Sequence, residues 1–231
     1  MNADQTPVIQ NISSYIGKLF RENFGKGPES VFVSVGLTYM TVHLRNLLTP
    51  AERVLMDQDQ TDIIVQMRDT LIQRLFPELK GYIQLTTGVQ VQEMYYDWNL
   101  HNRSGMITFI GENPFPFAEN VNDAYPGKPI IDQEIVNISE QAQKIPDEIY
   151  SCELNSRTIL VVRNGILVRI EKELIRLGHG ALLKRVKRNL EKSYLHNNGH
   201  FEAALNRKVI DVFVDWDFER DRSIMLLVTG K

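Results

Sequence analysis

Cysteine is nearly absent: Cys152 stands alone among 231 residues, so no internal disulfide framework exists and a reducing compartment is expected. Without a redox partner in the chain, Cys152 reads as a small buried apolar residue rather than a reactive thiol. No apolar run approaches the roughly 20 residues of a membrane span, and Met1-Asn2-Ala3-Asp4-Gln5 lacks the positive and apolar regions of a signal peptide. A cytoplasmic protein is expected. A large charge excess is missing too: the formal net charge of −3 argues against nucleic acid as a partner held by a strongly basic surface.

Signature loops are likewise absent. Gly25-Lys26-Gly27 follows a helical pattern and precedes a strand, the wrong order for cradling phosphate on a helix N-terminus, so it reads as a helix cap. His196 and His200 have the i, i+4 spacing of zinc ligands, with Glu202 nearby, but Asn197-Asn198-Gly199 breaks the helix between them. No metal, no cofactor and no catalytic residue is nominated, because any triad drawn from five histidines and many Ser and Asp would be arbitrary.

What is present is periodicity. Val8, Ile9, Ile12, Tyr15, Ile16, Leu19, Phe20 and Phe24 recur every three or four positions, the stripe of an amphipathic helix that ends at Gly25-Lys26-Gly27-Pro28. Val31 to Val35 and Tyr39 to Arg45 alternate as two antiparallel strands. Thr49-Pro50-Ala51-Glu52 carries a capping residue, a first-position proline and an acidic third position, which predicts a short helix to about Asp57. A longer helix starts at Thr61, with Pro77 as a candidate bend or break, and Val89 to Trp98 and Met106 to Ile110 form a second hairpin. Residues 112–145, with Pro114, Pro116, Pro126 and Pro129, read as a connector whose aromatics hold it on the protein surface.

The remaining stretch repeats this order at a displacement of 118 positions. Asp97-Trp98 pairs with Asp215-Trp216, which contain the only two tryptophans, Arg45-Asn46 falls on Arg163-Asn164, and Pro28 falls on Pro146. The expectation is an α+β chain of two tandem repeats of a helix-hairpin-helix-hairpin unit, each a four-stranded antiparallel sheet with helices packed on one face. The boundaries are 1–111 for the first repeat, 112–145 for the connector and 146–231 for a divergent second repeat without the long first helix. A sandwich in which the two β surfaces shield each other and a continuous eight-stranded sheet both satisfy the pattern. Residues 146–231 hold 15 Lys and Arg against 12 Asp and Glu, and residues 1–145 hold 11 against 17, a split that suits two apposed modules or a homodimer packed head to tail.

Two groups of residues are candidate binding positions. Arg45, Glu52 and Arg53, with Asp97, Trp98, Arg163, Asp215 and Trp216, are candidates for ligand or partner contact; the alternative role for each Asp-Trp is to pack a sheet edge and hold its turn. Lys184, Arg185, Lys187, Arg188 and Lys192 form a basic helical surface beside an apolar stripe of Leu182, Leu183, Val186, Leu190 and Leu195, either a solvated face or a docking surface for an acidic partner.

The run Phe24-Gly25-Lys26-Gly27-Pro28, then Leu47-Leu48-Thr49-Pro50-Ala51-Glu52-Arg53, Leu75-Phe76-Pro77-Glu78-Leu79 and Leu85-Thr86-Thr87-Gly88, resembles the MpsC domain family over residues 6–111. The family comprises bacterial domains named for a cation-translocating, membrane-potential-generating system whose other parts are implicated in inorganic carbon uptake. The resemblance implies an accessory or regulatory partner of a membrane transport system, acting through protein contacts with transporter subunits; a non-enzymatic role is expected from the lack of a recognisable catalytic constellation. The second half departs from it, showing Leu167-Val168-Arg169-Ile170 at the displacement where the first has Thr49-Pro50-Ala51-Glu52. A small-molecule or anion sensor and an enzyme without a recognisable motif are the alternative classes.

Overall fold

The computed structural model describes residues 5–196 and 198–230. The chain divides into two compact units, Met1–Asn120 and Val121–Lys231. The first unit runs α1 (Gln5–Phe24), β1 (Ser30–Gly36), β2 (Tyr39–Arg45), α2 (Pro50–Asp57), α3 (Thr61–Thr87), β3 (Val91–Asn99), β4 (Ser104–Gly111). The second runs α4 (Lys128–Ala142), β5 (Glu148–Asn155), β6 (Thr158–Asn164), α5 (Arg169–Arg176), α6 (Gly180–His196), α7 (His200–Leu205), β7 (Val209–Asp217), β8 (Arg222–Thr229). Each unit has its own antiparallel four-stranded sheet, ordered β1-β2-β4-β3 and β5-β6-β8-β7, so a continuous eight-stranded sheet is not what forms.

Both units are built by the same local rules. Ile12, Ile16, Leu19 and Phe20 point one face of α1 into a core with Met40, Val42 and Leu44 of β2 and Ile72, Leu75 and Leu79 of α3. In the second unit Ile131, Ile135 and Ile138 of α4 meet Ile159 and Val161 of β6, with Leu195 and Phe201 from α6 and α7. The strands β3 and β7 shift register at the same place, between Val91 and Glu93 and between Val209 and Asp211. Left-handed residues recur as well: Asn46 and Gly165 after the second strand, Gly88 and Asn206 after the last helix, Arg103 and Asp221 in the second hairpin. Shared backbone features of this kind at corresponding places mark two copies of one architecture.

Two expectations are corrected. The second unit does have its first helix: α4 occupies Lys128–Ala142, inside the stretch read as connector. Pro129 lies in its first turn, where the missing N–H has no intrahelical partner to lose, so the proline starts a helix rather than breaking one. Phe115 and Tyr125, flanking the short segment between units, are each buried in a core, the first in that of unit one and the second in that of unit two.

The displacement is also not constant. It is 118 at the opening of β1 and β5 (Ser30, Glu148) but 119 at the opening of β2 and β6 (Tyr39, Thr158), because the β5–β6 pairing shifts by one residue between Glu153 and Asn155. It returns to 118 by β3 and β7, after the α6–α7 break at a site where α3 passes through Pro77 unbroken. Arg45 therefore corresponds to Asn164, and Arg163 corresponds to the buried Leu44. The Thr49-Pro50-Ala51-Glu52 cap aligns with Val168-Arg169-Ile170-Glu171, so its glutamate is retained.

Candidate functional site

The cap at the start of α2 is the root of a buried cluster. Thr49 Oγ1 accepts the amide of Glu52 at 3.2 Å, and the Thr49 amide donates to Glu52 Oε2 at 2.7 Å. The same carboxylate receives a two-pronged contact from Arg68 on α3, Nε at 2.7 Å and Nη2 at 2.9 Å, and Nη2 also donates to the Leu47 carbonyl at 2.6 Å. The guanidinium lies 5.3 Å from the centre of the Trp98 ring, and Trp98 Nε1 donates to Asp69 Oδ1 at 3.0 Å. Burial by itself would raise the Glu52 carboxyl, but the hydrogen bonds and charge of Arg68 and the donors of Thr49 outweigh it and hold the group below its ordinary value.

The second unit rebuilds this cluster with other residues. The Val168 amide donates to Glu171 Oε2 at 2.9 Å, Lys187 Nζ reaches Glu171 Oε1 at 2.6 Å, and the ammonium lies 5.6 Å from the centre of the Trp216 ring. Glutamate and cation are 16 residues apart in both units. Valine has no side-chain acceptor, so half of the capping box is lost. Burial pushes the Lys187 ammonium below its ordinary value, with the Glu171 contact opposing that shift. Arg188 stands where the first unit has Asp69; a guanidinium cannot accept, and Trp216 Nε1 has no hydrogen-bond partner among the described residues. Arg188 Nη2 instead meets Asp215 at 3.2 Å, joined there by Lys184 Nζ at 2.9 Å.

A second polar group has no counterpart in unit one. Arg163, fully buried, donates to Ser223 Oγ at 2.7 Å, Ser139 Oγ at 2.8 Å and Glu191 Oε2 at 2.8 Å. Every one of these residues replaces an apolar one or a glycine: Leu44 and Gly105 match Arg163 and Ser223 by strand register, Ile72 matches Glu191 at the displacement of the cluster, and Phe20 matches Ser139 because the buried positions Ile12, Ile16, Leu19 and Phe20 of α1 recur as Ile131, Ile135, Ile138 and Ser139 of α4.

The structure therefore distributes the sequence candidates unevenly. Glu52, Asp97, Trp98, Arg163, Asp215 and Trp216 are buried, and Asp97 Oδ1 accepts the Trp98 amide at 2.7 Å. Arg45 and Arg53 are exposed, Arg45 at the rim of a cleft of about 300 Å³ lined with Glu29, Ser30, Asn46 and Asn102. The basic helical surface is corrected: Lys187 and Arg188 are buried, and Lys184, Arg185 and Lys192 are half-buried, with Lys192 Nζ 5.9 Å from the Phe213 ring centre. α6 turns its cations inward toward Glu171 and Asp215, which leaves Leu182, Val186 and Leu190 outside and only Leu183 and Leu195 of the expected stripe buried.

Arg68 escaped the sequence reading. It sits between Ile64 and Ile72, four positions either way, in the middle of the buried stripe of α3, a place where a cation must have an internal partner. Cys152 is buried and its thiol is pushed up to about 11 by burial, which suppresses thiolate reactivity. His200 Nδ1 faces Glu134 at 3.3 Å and His196 Nδ1 lies 2.9 Å from the Lys192 carbonyl. Among the described residues no group of three His, Cys, Asp or Glu is disposed to hold a metal ion.

Comparison with known proteins gives one assignment. The profile of the MpsC family, described as a Na+-translocating membrane potential-generating system, matches residues 5–113 and again 130–231, so this chain belongs to that family and carries its domain twice. No curated protein and no solved structure matches it. No helix among the described residues is long and apolar enough to cross a membrane.

Proposed function

We propose that this MpsC-family chain is a non-enzymatic accessory or regulatory subunit of a bacterial cation-transport system of the membrane, acting from the cytoplasmic side through protein contacts. One observation carries the reading: apart from the exposed Arg45 and Arg53, the charged and aromatic candidates for a ligand site are buried, and the ion pairs of both units serve as internal ties that hold α2 to α3 and α5 to α6. Their role is to fix helices rather than to meet a substrate, so the helix surfaces are what the protein offers to others. The family description supplies the membrane-potential system as the partner class. Affinity purification of the tagged chain from detergent-solubilised native membranes should recover identified transporter subunits, and recovery of none of them would contradict the reading.

A second reading, a sensor of small anions, rests on the polar cleft at Arg45. A thermal-shift panel of small anions, repeated with Arg45→Ala, tests it: stabilisation that disappears in the variant supports a sensor, and no stabilisation by any anion removes it.

A further inference from the structure

The long helix of each unit turns matching positions outward. On α3, Ile63 and Met67 are 51% and 39% exposed, with Leu71 half-buried beside them. On α6 the matching Leu182, Val186 and Leu190 are 51%, 54% and 38% exposed, and Ile170 of α5 and Leu177 just after it are exposed apolar residues as well. A surface helix ordinarily turns such residues to the core; contiguous apolar stripes left in water mark interaction surfaces.

The rims differ in sign. Around the α2–α3 stripe the exposed charges are Asp57, Asp59 and Asp62 against Arg53 and Arg74, which leaves the rim net negative. Around the α5–α6 stripe Arg169, Lys172 and Arg176 are exposed and Arg185 is half-buried, against Glu173. Lys172 holds Asp221 at 2.9 Å and Arg176 holds Glu173 at 2.8 Å, yet the rim stays net positive after these pairs are counted. Asp57 and Arg176 occupy the same position of the repeat. Two α2–α3 faces would repel at their rims, as would two α5–α6 faces; only one of each is complementary in both shape class and charge.

We propose that the chain self-associates head to tail, the α2–α3 face of one molecule seating on the α5–α6 face of a second copy. This goes beyond the accessory role and does not depend on it. Because the two faces differ, the contact either closes reciprocally, made twice in a two-fold pair, or leaves a fresh face on each added copy and continues to a ring or an open chain. The charges are solvent-exposed, so association weakens with salt.

Sedimentation velocity on the full chain across concentration, at low and high salt, tests this with Asp57→Arg/Asp62→Arg and Arg176→Asp/Arg185→Asp as variants. Circular dichroism melts verify that both variants fold. The wild type should gain mass with concentration and lose it with salt. Each variant alone should associate about tenfold more weakly or worse. An equimolar mixture of the two should regain mass, because acidic faces again meet basic ones. A wild type that stays monomeric under all conditions would overturn the proposal, as would variants that associate normally or a mixture that recovers nothing. A monomer that instead pellets with vesicles containing phosphatidylglycerol would also overturn it, assigning the basic-rimmed stripe to lipid.

Discussion

Behind the second strand of unit one, Phe20, Leu44 and Ile72 pack as hydrocarbon; at the same three places unit two holds Ser139, Arg163 and Glu191, tied by hydrogen bonds. The surrounding architecture shares its sheet order, the bulge of β3 and β7 and three left-handed turns, so the fold tolerates either solution. What it does not tolerate is half of one. An arginine without its acceptors would be an unpaired buried charge, whereas the apolar trio needs nothing but volume. The glutamate–cation–tryptophan cluster behaves differently: it is present in both copies, although threonine became valine and arginine became lysine around it. Divergence after duplication has rewritten one buried region and preserved the other.

The sharpest way to break this comparison is to exchange its terms. Arg163→Leu alone leaves Glu191 buried without its cation and should cost about 3–5 kcal/mol in urea unfolding. Installing all three residues of unit one, as Ser139→Phe/Arg163→Leu/Glu191→Ile, should recover that loss and end between neutral and about 4 kcal/mol more stable than the wild type. If the triple variant is as unstable as the single, the two cores are not interchangeable and the matching of positions is wrong.

A smaller effect separates the facing residues of the second hairpins. A Cβ on Gly105 would lie 2.7 Å from the Trp98 ring, so Gly105→Ala should destabilise unit one by roughly 1–3 kcal/mol by overpacking. Ser223, at the corresponding place, already carries a side chain and uses it to accept from Arg163.

The smallest predicted effect is on pH dependence. Because the Glu52 carboxyl is held below its unfolded value, its contribution to stability is fully present above the ordinary carboxylate range. It is lost as pH falls through the depressed value. Urea midpoints across the acid range should therefore fall less steeply in Glu52→Gln than in the wild type, from a lower starting stability; parallel curves would contradict the assigned ion pair.

Much of this was legible in the sequence for reasons that are local. Hairpin alternation, the Thr49 cap and the glycine stop at Gly25 depend on a few adjacent residues, and they folded as read. The missing first helix of unit two was a misreading of proline: Pro126 and Pro129 crowd the start of α4, and the spacing of Ile131, Ile135 and Ile138 was the better signal. The wrong pairing of Arg45 with Arg163 came from a one-residue shift in the β5–β6 hairpin, invisible without the strand register. Burial of Lys187 and Arg188 was hidden by a general habit of charge, which is to face water; their partners Glu171 and Asp215 lie 16 and 27 residues away, beyond the reach of a helical pattern.

The central claim is that each unit is locked by a cation held between a glutamate and its one tryptophan. Each tryptophan is a private reporter: Trp216→Phe leaves Trp98, and Trp98→Phe leaves Trp216. Urea unfolding followed by fluorescence in these single-tryptophan chains should show Arg68→Met lowering the midpoint reported by Trp98, and Lys187→Met lowering that reported by Trp216. Midpoints unmoved by removal of the cation beside the reporting tryptophan would contradict the account.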